Sequence, residues 1–315
     1  TNKKIFEYEN IKAEAHEKNV KNINPYLVEG DDLIIESRNN PLVKVPQISF
    51  GNMPLDGGNL IIEDEELEEF LKNEPNAKDY ILSLISAREF LNNKQRWCLW
   101  LENISPKELR NMPTILERVE KVKIFRETSI APSTQKHALT PTLFRDRNRP
   151  NTFIVVPRVS SERRLYIPMG FFDRNYIVSD TCLSIPNGDL FLFGQLTSLM
   201  HMAWVKVVGG KLETRYRYSA SVIYNNFPCP KLSDKKKELL SEHAFHILAI
   251  RENYPNKTLA ELYDPAEMPE DLKQAHEEND RFVESLYTSV LLKTDEQRLE
   301  GLFKLYEKMC MVKEE

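Results

Sequence analysis

One stretch, Gln195 to Pro230, limits most tightly what this chain can fold into: QLTSLMHMAWVKVVGGKLETRYRYSASVIYNNFPCP. Leu196, Leu199, Met200, Ala203, Trp204, Val207 and Val208 recur at three- and four-residue spacing, which predicts one helix with a single apolar stripe turned to a core. Gly209-Gly210 should end that helix where the backbone turns through positive φ. Beyond the glycines the period drops to two. Leu212, Thr214, Tyr216 and Tyr218 alternate with Glu213, Arg215 and Arg217, the pattern of a half-buried strand. Such a strand sets Glu213, Arg215 and Arg217 in one outward row, about 7 Å per step.

That row has two readings. An arginine can fork two donors onto a guanine edge, and a carboxylate can accept from the exocyclic amine of cytosine, so a Glu beside an Arg could read one C·G pair. The same residues also suit a surface strand with a salt-bridged Glu–Arg pair, the commoner fate of exposed charge.

Net charge argues against nucleic acid until it is divided along the chain. The whole carries −5, but residues 231–315 hold 13 basic and 19 acidic residues, whereas residues 110–164 hold 12 Lys or Arg against 5 Asp or Glu. A basic segment beside an acidic tail is compatible with one face meeting phosphates. At 315 residues, 41% hydrophobic and 29% charged, the chain has room for two or three domains with ordinary cores. No apolar run approaches the roughly 20 residues of a membrane span. Cys98, Cys182, Cys229 and Cys310 are scattered, which suits a reducing cytoplasm better than a disulfide framework or zinc site. The chain starts at Thr1 within sequence that reads as structured, so a fragment is expected.

Asn24-Pro25-Tyr26 looks like the catalytic tetrapeptide of amino-methyltransferases, but one proline is missing and no glycine-rich strand–turn–helix accompanies it; Asn-Pro is a common turn initiator. Leu33–Ser37 and Val43–Phe50 read as short strands, and SFGNMPLDGGNLII as a turn-rich loop feeding a strand at Leu60–Ile62. Asp64 is expected to cap an acidic helix to about Lys72, its acids forming a solvated face rather than a metal site. A second helix is predicted over Ala77–Asn92 and a buried strand over Gln95–Leu101. Ser105-Pro106-Lys107-Glu108 is a capping box with proline at the first helical position. Another start at Thr114 leads into the stripe Ile115, Leu116, Val119, Val122 and Phe125.

Residues 129–151 read as a long flexible loop, in which Arg145, Arg147 and Arg149 are either phosphate contacts or part of an exposed linker. Phe153–Pro157 and Ile177–Ile185 read as strands, the second containing Asp180 and Thr181. Between them, Ser160, Ser161, Arg163 and Arg164 could pin a phosphate, with Lys211 a further candidate. From Ser233 the pattern is helical, over 234–252, 258–264, 269–287 and 295–311. The expected fold class is α+β, a mixed α/β domain followed by a small all-helical one. His201 reads as packed rather than catalytic, and neither a G-x-S-x-G elbow nor a G-x-x-x-x-G-K loop occurs, so the chain by itself does not read as an enzyme.

Taken together and in order, NINPYLVEG, ISFGNMPLDGG, REFLNNKQRWCLWL, VSSERRLYIPMGF, the Gln195–Pro230 stretch and LAELYDPAEMP resemble the C-terminal half of the MmeI-like enzymes. These are Type IIL restriction–modification proteins and related adenine-specific DNA methyltransferases. The resemblance implies a junction at residues 1–30, a target recognition domain at 31–230 and a helical C-terminal domain at 231–315. It implies base-reading positions at Glu213, Arg215 and Arg217, and also at Asp180, Thr181 and Arg158. In that family a Glu/Arg pair at the first two positions alternates with Lys/Asp, which reverses the strand supplying guanine. No cofactor is expected here; S-adenosylmethionine, and magnesium if the parent also cleaves DNA, would belong to the missing part. The implied partners are double-stranded DNA and an upstream methyltransferase domain of the same chain, with no membrane, in a bacterial cytoplasm. The competing readings are a protein–protein module whose helical tail recruits subunits, and an independent nuclease.

Overall fold

The computed structural model of the chain describes residues 3–8, 14–27, 29 and 32–311. An antiparallel hairpin comes first, β1 (Lys3–Glu7) with β2 (His16–Val20). Two larger sheets follow. One contains β4 (Ile61–Glu63), β5 (Ile81–Ile85), β6 (Arg96–Leu99) and β10 (Tyr176–Val178), in the order β10-β5-β6-β4, with β10 parallel to β5. Helices α1 (Asp64–Asn73), α2 (Ala87–Asn92), α3 (Pro106–Arg110) and α4 (Pro113–Glu127) surround it. Leu60, Ile62, Leu84 and Leu99 meet Ile115, Val119 and Val122 of α4 in its core.

The second sheet is antiparallel throughout and ordered β3-β11-β7-β9, from β3 (Ser49–Phe50), β7 (Thr152–Pro157), β9 (Gly170–Asp173) and β11 (Cys182–Pro186). One face, bearing Ile154, Val156, Leu183 and Ile185, shares a core with α6 (Leu190–Leu196) and α7 (Leu199–Val208). That core continues without a break into α8 (Asp234–Glu252), α9 (Leu259–Leu262), α10 (Glu270–Ser285) and α11 (Asp295–Met311). Trp204 of α7 lies 5.7 Å from Phe303 of α11, ring to ring, and Tyr26 stacks on the same phenylalanine. A third, small sheet runs β12-β13-β8, from β8 (Val159–Ser160), β12 (Gly210–Leu212) and β13 (Arg215–Arg217).

Mixed sheets followed by helices is the fold class read from the sequence, and α8 and α11 occupy the expected spans. Several elements differ. The helix expected through Leu196–Val208 is two helices bent by 56°, because the Ser198 hydroxyl accepts from His201 N and starts α7 afresh. Gly209 has a φ of −74°, not a positive one; its role is steric, since a Cβ there would stand 2.5 Å from Val205 O. The span Ala77–Asn92 is a 3-10 turn, then β5, then α2. Ile81–Ile85 is paired on both sides by β6 and β10, and the helix begins only at the Ser86–Glu89 capping box.

Leu33–Ser37 is not a strand, and of Val43–Phe50 only β3 is. Its backbone meets other partners: Ile35 N donates to Tyr26 Oη, and Glu36 O accepts from Asn226 Nδ2. Ile177–Ile185 is not one strand either. β10 belongs to the first sheet and β11 to the second, so the chain changes sheets at Ser179–Thr181. The 129–151 loop is anchored rather than flexible, with a short α5 (Pro132–Gln135) and hydrogen bonds from Asn148 to Asn52 and Ser49.

Candidate functional site

α7 runs straight into β12, so the apolar helix sets where the next residues emerge. The alternation expected to make one strand makes a hairpin: Gly210, Lys211 and Leu212 pair with Arg217, Tyr216 and Arg215. Glu213 and Thr214 form the two-residue loop, and Glu213 has a φ of +59°. Hairpin turns with a left-handed first loop residue normally carry glycine there. Glu213 is therefore at the tip and not in a strand row. Its Oε2 accepts from Arg215 Nη2 at 2.8 Å, with both side chains in solvent, 75% and 45% exposed. Arg217 is exposed on the same strand, while Tyr216 between them is buried.

Behind the hairpin, Tyr218 is buried with its hydroxyl 2.9 Å from His201 Nε2. Burial lowers His201 to about 3, so it is a neutral packing residue, in line with the reading from sequence.

β13 pairs with β8, placing Tyr216 opposite Ser160 and Arg217 opposite Val159. Arg158 therefore adjoins the hairpin, and its carbonyl accepts from Tyr218 N. Its Nη1 donates to Asp180 O at 2.9 Å, its backbone N donates to Thr181 O, and its guanidinium lies 4.9 Å over the Phe50 ring. The fold thus brings Glu213, Arg215, Arg217, Arg158, Asp180 and Thr181 into one neighbourhood, although they come from three segments. The Thr181 hydroxyl is already engaged, accepting from Ala87 N and bonded to Ser179 Oγ.

The anion-binding candidates fare unequally. Ser160 is 3% exposed, so its hydroxyl is turned inside β8 and not toward an external phosphate; this corrects its assignment. Ser161 accepts from Arg163 N within a turn. Arg163 is 64% exposed and ion-paired at 3.1 Å to Asp264, beyond α9. Arg164 is half-buried, and that burial lowers its guanidinium pKa while Asp264 works the other way. Lys211 is exposed on the outer strand. Arg145 pairs with Asp146, Arg147 lies 3.9 Å from Glu102, and Arg149 Nε donates to Arg174 O. Arg174 N donates to Asn151 O at the start of β7, which sets Arg149 about 20 Å along that strand from Arg158.

Sequence reasoning missed two buried groups, of which one holds the site from behind. Asp280 on α10 accepts from Leu199 N, in the first turn of α7, at 2.7 Å and from the Tyr166 hydroxyl at 2.6 Å. One carboxylate so ties the segment after β8 to the helix that launches the hairpin. Burial pushes Asp280 up to about 7, opposed by its hydrogen bonds from Tyr166 and Leu199. A signal existed: Asp280 stands among Leu272, Ala275, Asn279 and Val283, an inward stripe where a charge is out of place. The other is Arg126, fully buried at the end of α4.

Residues 29–231 match the family described as MmeI, target recognition domain, and residues 232–312 match MmeI, C-terminal domain. DNA methyltransferase A of Bacillus subtilis (strain 168) is 43% identical over 291 residues, which are 92% of this chain and 33% of that protein. A solved structure of the Type IIL restriction–modification enzyme MmeI in complex with DNA superposes with a TM-score of 0.93 at 43% identity, over 98% of this chain and 42% of that one. The chain spans about a third of the length of the curated relative it matches.

Proposed function

The chain belongs to the MmeI family, and from that premise we propose that it reads the sequence of duplex DNA for an adenine-specific methyltransferase of a restriction–modification system. The observation that carries this reading is the Glu213–Arg215 pair. A carboxylate and a guanidinium stand side by side at an exposed hairpin tip, on a backbone that a glycine would adopt with less strain. Retaining a side chain there has a conformational cost, which is offset when that side chain does work outside the fold.

In the major groove Glu213 accepts from the cytosine amine and Arg215 donates to guanine, so together they read one C·G pair. Arg217, Arg158, Asp180 and Thr181 face the neighbouring pairs. Arg163, Arg164 and Lys211 hold phosphates, Arg163 exchanging Asp264 for the backbone. Residues 31–230 are the reading domain, 231–315 brace it, and 1–30 join it to the catalytic part.

Methyl transfer from S-adenosylmethionine belongs to the remainder of a longer protein. The Asn24-Pro25-Tyr26 segment does not suit the catalytic step: Asn24 Oδ1 accepts from Tyr26 N, and the Tyr26 hydroxyl accepts from Ile35 N, a closed local turn.

Selection from a random duplex pool, comparing the protein with its Glu213→Lys/Arg215→Asp variant, tests the reading. One C·G position should invert in the selected motif, a discrimination of about 1–3 kcal/mol. A motif unchanged by the double substitution would remove the hairpin from the reading surface.

A further inference from the structure

Phe50 is exposed where its row in the sheet is otherwise closed. It pairs with Leu183, which pairs with Val156; those two are completely buried, whereas Phe50 is 52% exposed. Nor is it on a loose loop. Gly51 lies so close to the sheet-changing turn that a Cβ would fall 2.0 Å from Ser179 O, and Asn52 N donates to Val178 O at 2.6 Å. Over the ring stands the guanidinium of Arg158, with Nη1 on Asp180 O. A fixed aromatic ring with exposed surface therefore stands beside a steered guanidinium, on the residue whose carbonyl accepts from Tyr218 N just past the hairpin.

We propose that Phe50 is a specificity-determining residue that packs against the C5 methyl group of a pyrimidine in the major groove, while Arg158 addresses the adjoining base. The inference rests on the DNA-reading role proposed above and adds an apolar contact to a set of residues that is otherwise polar. The chemistry follows from the groove. Thymine presents a methyl group there, and apolar side chains including Phe recognise it by contact rather than by hydrogen bond. The cation over one ring face fixes the ring and sits where a neighbouring guanine could accept its free donors.

The test uses the full-length protein and the site found by selection. Each thymine is replaced in turn by deoxyuridine and each cytosine by 5-methylcytosine, and binding is measured by competition. A single position should respond to the methyl group, by about fourfold, the worth of one buried methyl. Phe50→Ala should lose that dependence and bind both duplexes equally, while Phe50→Leu, still apolar, should keep most of it. Absence of any methyl-dependent position, or a dependence that survives in Phe50→Ala, overturns the assignment. If the Glu213→Lys/Arg215→Asp inversion still occurs in that assay, only the Phe50 proposal falls. Absence of any selected site for the full-length protein overturns the DNA-reading role and this inference together.

Discussion

The basic segment around α4 and the β12–β13 hairpin are both arginine-rich in sequence, yet the fold treats their arginines in opposite ways. Arg126 has no exposed surface, and its five N–H groups donate to five backbone carbonyls, Pro54, Leu55, His137, Thr140 and Leu143, at 2.8–2.9 Å. Arg215 has one ion pair, to a neighbour two residues away, in open solvent. The difference lies in the backbone nearby. Residues 53–55 and 137–143 lie outside the sheets; local turns supply a backbone donor to His137 O and Thr140 O, and the guanidinium adds to these while serving Pro54, Leu55 and Leu143 alone. In the hairpin, strand pairing already satisfies the backbone, and the guanidinium takes no part in it.

The largest test of this contrast is Arg126→Ala. It leaves three carbonyls, those of Pro54, Leu55 and Leu143, without a donor, while His137 O and Thr140 O keep the N–H groups of Thr140 and Leu143. At about 1–3 kcal/mol for each buried, unsatisfied carbonyl, a loss of about 3 kcal/mol or more is expected. Arg126→Lys, with three donors, should recover only part of it. Denaturant midpoints measure both, and an Arg126→Ala loss below about 1 kcal/mol would dissolve the distinction.

The support behind the hairpin gives an intermediate effect, read against pH. The fold raises the Asp280 pKa from the usual carboxylate range near 4 to about 7, so the folded state favours its protonated form. Its contribution is fully present below the unfolded pKa and is lost as pH rises through about 7. Asp280→Asn keeps an acceptor for Leu199 N but does not titrate. The stability of the natural protein relative to this variant should therefore fall between pH 4 and 8, with the other titrating groups cancelling in the difference. A difference that stays flat over that range would mean that Asp280 is not desolvated.

Glu213→Gly is the smallest effect and opposite in sign. Relief of the left-handed backbone should leave stability unchanged or raise it by up to about 1 kcal/mol. Selectivity at one base pair should be lost in the same variant. A clear loss of stability would show that Glu213 is structural, and the hairpin would then resemble Arg126 after all.

The sequence made the broad plan legible because periodicity reports burial. The helices after Ser233 and the apolar face of α7 came out directly, as did the capping box at Ser105. It failed where partners are distant. Ile81–Ile85 has no local mark that separates it from a helix, since pairing makes it a strand, with β6 just beyond α2 and with β10 far along the chain. The alternation through Glu213 was misleading for a different reason: a two-residue turn preserves a period of two, so a hairpin and a long strand share one pattern when no Asn-Gly or Gly marks the turn. The six base-reading candidates were named from an alternation read as one strand and from the family resemblance. Their convergence, and the inward turn of Ser160, depended on β8 pairing with β13, which no local pattern encodes.

That two-residue turn also bears on how such a reader can change its target. With Leu212 opposite Arg215 and only Glu213 and Thr214 between them, the loop has no slack. Adding one residue to β13 would swing Arg215 or Arg217 into the inward seat held by Tyr216 and bring the tyrosine out. On the reading proposed above, new specificities are then reached by exchanging one side chain for another at fixed places, and insertions or deletions are closed to it. The alphabet of this reader is rewritten letter by letter, while the spacing of its lines stays as it is.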